Sequence, residues 1–443
     1  MTVLIINYLY HALFEQPHRG GSISNIYSQM PQSSIISKVD FDKIRKDFPV
    51  LDQKVNGHPL VYLDNGASSQ MPAKVADRLD HYHRYEHANV HRGIHTLSQK
   101  ATDAYEETRR KIRGFINSRY NEEIVYTTGT TDSINLVANS FGSLHFKEGD
   151  EIILSQMEHH ANIVPWQMIA EKTGAVIRVI PVLDNGELDM EAYKSLLSKK
   201  TKMVAVIHVS NALGTVNPVK EITALAHEFG AAVLIDGAQS VPHQPVDVQD
   251  IDCDFYAFSA HKMCGPTGFG ILYGKKEHLD QMPPYRGGGD MIDKVSFEET
   301  TYNVAPLRFE AGTPPIAAGI GTAAAVDYLT QIGMKNIAEH EQELVQYGYE
   351  QLKKIEGLRF IGEPEHRASV LSFVFDEIHA SDIGTLLDKR GIAVRTGHHC
   401  AQPILRRFDV PATTRASLSF YNTREDIDRL VDGIEYAKSF FEF

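Results

Sequence analysis

Three short segments place reactive side chains where an apolar run gives way to a turn. In Phe258-Ser259-Ala260-His261-Lys262 an amine follows such a run, flanked by Ser and His that can bind phosphate and by Gly265 and Gly268, which permit close backbone approach. A lysine in that position is usually a solvated surface residue. In this setting it is also a candidate to form an imine with a carbonyl compound. In Val233-Leu234-Ile235-Asp236-Gly237-Ala238-Gln239 a carboxylate ends the run. Such an Asp either caps the next helix or, at the carboxyl end of a parallel strand, keeps a pyridinium nitrogen protonated for an electron-sink cofactor. Gly129-Thr130-Thr131-Asp132-Ser133 opens a helical stretch. That is an ordinary N-cap, or a set of amides and hydroxyls offered to a phosphate.

Two further blocks, Glu158-His159-His160-Ala161-Asn162 and Thr396-Gly397-His398-His399-Cys400, invite a zinc reading. Adjacent histidines on an extended chain point in opposite directions, and neither block has C-x-x-C or H-x-x-x-H spacing, so no metal is assigned. Cys400 sits among Gly, two His and Arg395, a polar setting that favours thiolate over the alternative of a small core residue.

These segments need a scaffold, and the periodicity supplies one. Short Val- and Ile-rich runs at Glu151–Ser155, Ala175–Val182, Met203–Ser210, Ala231–Asp236, Phe255–Phe258 and Gly268–Tyr273 alternate with helical stretches such as Pro218–Phe229. That alternation predicts an α/β fold with a mostly parallel sheet flanked by helices. Beyond the Gly287-Gly288-Gly289 break, helices at Gly319–Ile332 and Ile337–Ile355 precede strands Ser369–Phe375, Ala393–Thr396 and Arg415–Tyr421 and a helix from Glu425, a smaller α+β unit. The expected division is an irregular N-terminal extension 1–40, a segment 41–62 packing on the small domain, a large domain 63–305 and a small domain 306–443 carrying Cys400. Met30 is an alternative start, and Thr2–Phe14 lacks the basic start of an export signal.

The chain has 443 residues, 42% of them hydrophobic and 23% charged, which excludes a wholly disordered protein. Its 44 basic and 57 acidic residues leave a net charge of −13, which argues against nucleic acid as a partner. No apolar run reaches the ~18 residues of a membrane span. Three cysteines, Cys253, Cys264 and Cys400, exclude a disulfide framework and point to a reducing, cytoplasmic setting.

From about Phe41 to the C-terminus the sequence resembles the SufS-type (group II) cysteine desulfurases, class V aminotransferase-like enzymes of pyridoxal-phosphate fold type I. The resemblance lies in Leu63-Asp64-Asn65-Gly66-Ala67, Arg92-Gly93-Ile94-His95-Thr96, Met157-Glu158-His159-His160-Ala161-Asn162 and Ser210-Asn211-Ala212-Leu213-Gly214-Thr215. It continues in Ser259-Ala260-His261-Lys262, Phe309-Glu310-Ala311-Gly312-Thr313-Pro314, Arg395-Thr396-Gly397-His398-His399-Cys400 and Arg415-Ala416-Ser417-Leu418. It departs from the family at Gly66 for Ala, at Met263-Cys264 for Leu-Tyr and at Asp290 for Glu; none of these removes a catalytic atom.

The resemblance implies pyridoxal 5'-phosphate held by Lys262 as a Schiff base, Asp236 on the pyridine nitrogen, Gln239 at the phenolic oxygen and His159 stacked on the ring. Thr130, Thr131, Ser259 and His261 would take the phosphate, with Thr313 reaching across a homodimer. Asn211 would lie beside the cofactor, while Arg415, Arg395 and His95 would receive the substrate. Cys400 would take sulfur from L-cysteine as a persulfide, leaving L-alanine. The implied role is sulfur supply for iron–sulfur cluster assembly, with selenocysteine lyase activity open to the same residues. His379-Ala380-Ser381-Asp382 has Ser where members served by a zinc-containing SufU-like acceptor have a second His, so a SufE-like acceptor is expected. A kynureninase-like hydrolase, an epimerase or a non-catalytic metal-binding sulfur scaffold are the competing readings, and Cys400 in its Arg-Thr-Gly-His-His-Cys setting argues against the first two. Cys264, two residues from Lys262, is either a second oxidation-prone thiol or a small core residue.

Overall fold

The computed structural model describes residues 39–441; the extension expected over 1–40, with Met30 and Thr2–Phe14, lies almost wholly outside the described residues. Two helices, α1 (Ala73–His81) and α2 (Thr96–Phe115), precede the first strand. The alternating segment follows: β1 (Ile124–Thr127), α3 (Thr130–His145), β2 (Glu151–Ser155), α4 (Val164–Thr173), β3 (Val176–Ile180), β4 (Thr201–Ile207), α5 (Val219–Glu228), β5 (Ala232–Asp236), β6 (Phe255–Ser259) and β7 (Gly270–Gly274). These seven strands form one sheet in the order β1-β7-β6-β5-β4-β2-β3.

Every residue of β1, β2, β5, β6 and β7 is buried, which is why these strands are continuous apolar runs rather than alternating ones. Parallel pairing links β3, β2, β4, β5 and β6, while β7 runs antiparallel to both β6 and β1. The reversal has a simple cause. The link from Ala260 to Phe269 is too short for the crossover that a parallel neighbour requires. A cluster including Val125, Phe141, Leu154, Trp166, Ala205 and Leu234 packs α3 and α4 on one face.

The remaining chain supplies α6 (Ile316–Ile332), α7 (Met334–Leu352), β8 (Leu358–Phe360), β9 (Val370–Phe375), α8 (Ala380–Asp388), β10 (Arg395–Gly397), β11 (Thr413–Ser417) and α9 (Arg424–Lys438). Its four strands form an antiparallel sheet, β8-β9-β11-β10. Leu344, Leu371, Phe373, Leu387, Leu430 and Ile434 make a second core beneath it, which also takes Val61 and Leu63. Helix α6 packs on α1 and α2. The run expected as one strand over Ala393–Thr396 is divided: Ile392–Ala393 pairs parallel with Val61–Tyr62, and β10 starts at Arg395. That division puts Arg395 directly opposite Arg415 of β11. Among the described residues no helix is long and apolar enough to cross a membrane.

Candidate active site

The carboxyl ends of β4, β5 and β6, the N-terminus of α3 and the start of β10 surround a cavity of about 470 Å³, the place where ligands of open α/β sheets bind. After β6 a single 3-10 turn, Ala260–Lys262, brings Lys262 to its wall. Asp236, the last residue of β5, is 2% exposed and accepts a hydrogen bond from the Ala238 amide at 3.0 Å. On the other side Thr130 and Thr131 begin α3. The Thr130 amide donates to Ser259 Oγ at 2.8 Å, which ties the helix start to β6. The turn lies so close to β7 that a Cβ on Gly270 would stand 2.3 Å from Gly129 Cα, so only glycine serves there.

Electrostatics follow from burial. Desolvation lowers the Lys262 amine to about 8, with Asp236 partly opposing. The same burial raises Asp236, with Lys262 opposing. His159 falls to about 4 through burial and the charge of Lys262, so its ring is neutral; since Nδ1 accepts from the Ala161 amide at 3.0 Å, the ring proton sits on Nε2. Burial also takes His261 to about 4. Gln239 is 1% exposed and donates to the Gly66 carbonyl at 2.6 Å.

Two acidic residues that sequence reasoning did not single out organise this site. Asp64 joins both arginines: Arg395 reaches it with Nε at 3.0 Å and Nη2 at 2.7 Å, and Arg415 with Nη2 at 3.3 Å. Arg415 is 2% exposed, and burial draws it down to about 10. Glu158 is fully buried behind His159 and pushed up to about 8 by burial. Both lie inside stretches that carry the family resemblance, but neither motif shows what the carboxyl would hold.

Cys400 is exposed, whereas Cys253 and Cys264 are buried. Burial pushes the Cys264 thiol up to about 12, which makes it a core residue rather than a second reactive thiol. The loop that carries Cys400 is held by its backbone. His160 N–H donates to the Cys400 carbonyl at 2.7 Å, and Asn211 Nδ2 donates to the His399 carbonyl at 2.7 Å. His399 and Cys400 both have left-handed φ, 52° and 54°, a conformation that non-glycine residues hold only under constraint. Electrostatic interaction links Cys400 to Lys262, Arg395 and Arg415, and Arg415 to Lys262 and Arg395.

Of the expected site residues, two are not brought to this cavity. His95 is exposed at the N-terminus of α2, where its Nδ1 accepts from Ser98 N–H at 3.3 Å; its ring is committed to capping and does not line the pocket of its own chain. Thr313 is exposed on the loop before α6 and also lies outside the cavity of its own chain.

The remaining residues fit pyridoxal phosphate. Asp236 is a buried carboxylate in need of a cation, and the helix start with Thr131 and Ser259 suits a phosphate. Asn211 Oδ1 and Arg415 Nε are buried without a hydrogen-bond partner among the described residues, as groups awaiting a ligand are.

Comparison with known proteins agrees. Residues 61–430 match the model of the aminotransferase class-V family. A cysteine desulfurase of Shigella sonnei is 54% identical over 395 residues, covering 89% of this chain and 97% of that one. A probable cysteine desulfurase of Halalkalibacterium halodurans is 53% identical over 399 residues, 90% of this chain and 98% of its own. The crystal structure of the Escherichia coli cysteine desulfurase CsdA superposes with a TM-score of 0.85 at 38% identity, over 91% of this chain and 99% of that one. The chain therefore belongs to the class-V aminotransferase family and is an enzyme built around pyridoxal phosphate.

Proposed function

We propose that this enzyme is a cysteine desulfurase, converting L-cysteine to L-alanine with the sulfur retained as a persulfide on Cys400. The observation that carries the reading is an exposed thiol on a clamped loop, in the wall of a cavity that also holds an amine near neutrality and two guanidiniums. Pyridoxal phosphate, when bound, supplies an electron sink that acidifies the substrate Cα–H and loosens its Cβ–S bond.

The chain's residues do the rest. Lys262 would hold the cofactor and, once the substrate amine has displaced it, would move protons at the substrate α-carbon. Asp236 would keep a proton on the ring nitrogen, Gln239 would meet the phenolic oxygen and neutral His159 would stack on the ring. Thr130, Thr131, Ser259 and His261 would take the phosphate, with Thr313 supplied by a second copy in a homodimer. Arg415 and Arg395 receive the substrate carboxylate, with Asn211 beside the ring and His95 reaching the pocket from the second copy. Cys400 Sγ attacks the substrate sulfur: an S–S bond forms, the Cβ–S bond breaks, and Cβ takes a proton to complete alanine.

The finer reading is a SufS-type enzyme of the cytoplasm that feeds iron–sulfur cluster assembly, with a large domain 63–305 and a small domain 306–443 that bears the nucleophile. Selenocysteine is a second substrate for the same residues. A SufE-like acceptor is favoured over a zinc-containing SufU-like one. In support, Ser381 N–H donates to His379 Nδ1 at 3.2 Å, so this histidine caps α8 instead of offering that nitrogen to a metal.

The test is release of alanine and sulfide from L-cysteine with a reductant, comparing wild type with Cys400→Ser and Lys262→Ala. Equal alanine and sulfide from wild type and none from either variant is the expected result. Cofactor-coloured protein that yields no alanine would overturn the substrate.

A further inference from the structure

Glu158 does not line the cavity, yet it is fully buried directly behind it. Its carboxyl collects three donors from three elements. Ile207 N–H, at the end of β4, donates to Oε1 at 2.9 Å; Asn162 Nδ2 donates to Oε2 at 2.7 Å; and Ser155 Oγ, at the end of β2, donates to Oε1. Two of the three contacts lead to a cofactor residue. Ile207 is the β4 partner of Asp236 in the parallel register. Asn162 closes the 3-10 turn His160–Asn162 that His159 caps. His159 itself follows Glu158 in the chain, so its ring hangs from the one anchored point.

The Asn162 end of this network has one orientation. Trp166 Nε1–H, which can only donate, holds Asn162 Oδ1 at 2.8 Å. Asn162 must therefore turn its amide nitrogen to Glu158, which must accept. A carboxyl group satisfies that requirement in either protonation state, whereas an amide at the same place would set two donors against each other, at Asn162 or at Ile207 N–H.

We infer that Glu158 is a positioning residue, whose carboxyl fixes the His159 ring over the cofactor and locks the edge of β4 beside Asp236. A bare structural anchor could have been apolar at far lower cost, because a fully buried carboxyl is expensive unless each oxygen has a partner. Burial holding Glu158 near 8 is that expense. The inference adds a residue to the proposed function and rests on it only for the activity arm of its test.

The decisive variants are Glu158→Gln and the double exchange Glu158→Gln with Asn162→Asp, measured as holoenzyme. The double exchange swaps donor and acceptor, so the Trp166 bond and the link between the two side chains are both restored. Three quantities are read well below the melting temperature: the visible circular dichroism of the bound cofactor, cofactor affinity by titration of the stripped protein, and kcat and KM for L-cysteine. Glu158→Gln is expected to change the dichroic band, weaken cofactor affinity and lower kcat by about tenfold or more with KM within about twofold, as misplacement near 1 Å does. The double exchange is expected to recover most of each. Should Glu158→Gln fail to fold, Ser155→Ala removes one donor, keeps the carboxyl, and is expected to move the same readouts less far. An unchanged dichroic band and affinity in the folded single variant, or a double exchange no better than the single, overturns the inference. Inactive wild type with the expected dichroic changes would instead count against the desulfurase reading alone.

Discussion

Asp64→Asn tests whether one carboxylate both holds the substrate pocket together and competes with the substrate. The antiparallel register sets Arg395 opposite Arg415, and like charges so placed repel. Arg415 is 2% exposed, with Nη1 committed to the Asn211 carbonyl at 2.9 Å and Nη2 reaching Asp64 at 3.3 Å. Breaking a buried ion pair from one side costs about 3–5 kcal/mol. The substituted amide keeps an acceptor and the Arg395 side chain is half exposed, so about 2 kcal/mol is expected here. Unfolding roughly 400 residues carries an entropy near ~0.8 kcal/mol per kelvin, so Tm falls by about 2–3 °C. Affinity should move the opposite way. With the competing anion gone, both guanidiniums face the pocket uncompensated, and L-alanine should bind about fivefold to tenfold tighter, about 1–1.4 kcal/mol. Thermal melts and calorimetric titration of the holoenzyme with alanine read the two signs. Unchanged Tm together with weaker alanine binding would refute the reasoning, since Asp64 would then orient the arginines rather than occupy them.

Other outcomes follow from the same geometry. With the Lys262 amine at about 8, stripped protein should capture pyridoxal phosphate faster as pH rises towards 8 and then level off, because only the neutral amine adds to a carbonyl; a midpoint near the ordinary lysine value would contradict this, and Asp236→Asn should move the midpoint lower. Asp254 is buried, yet bonds from His227 and His278 and the charge of Lys275 hold its carboxyl below the usual range, while Asp254 raises His227. The Asp254 contribution is therefore present above about pH 4 and lost as pH falls, and that of His227 is present below about pH 6.5 and lost as pH rises; in Tm-against-pH curves Asp254→Asn should flatten both limbs, and unchanged limbs would exclude the cluster. Gly270→Ala should cost about 3 kcal/mol and release the cofactor, because the new Cβ meets the Gly129 backbone, whereas Gly287→Ala, with open space around it, should be silent in the same melt. Alkylation of the native protein should label Cys400 first and spare Cys253 and Cys264, both buried and with thiols pushed up by that burial; early label on Cys264, mapped by mass spectrometry, would contradict its place in the core.

Much of this was legible in the sequence because the information is local. Buried parallel strands announce themselves as unbroken apolar runs, and the turn residues that end them, Asp236, Ser259 to Lys262 and Gly129 to Thr131, follow the strands within a few positions. The motif set also brought a thiol, an amine and a carboxylate into one family pattern. Strand direction was less accessible. Antiparallel β7 looks like its parallel neighbours in composition, and only the length of its connection distinguishes it. The roles of Asp64 and Glu158, both present in quoted motifs, escaped notice for a deeper reason: they depend on partners such as Arg415, 351 positions away from Asp64, and the Ile207 amide, 49 from Glu158. The exposure of Cys400, the left-handed backbone that presents it and the capping of His95 away from its own pocket were likewise decided in three dimensions. Sequence by itself determined which chemical groups are present and which strands end in them. Tertiary structure decided their distances and their desolvation, because charge interactions and burial act through space, and no periodicity in the chain encodes them.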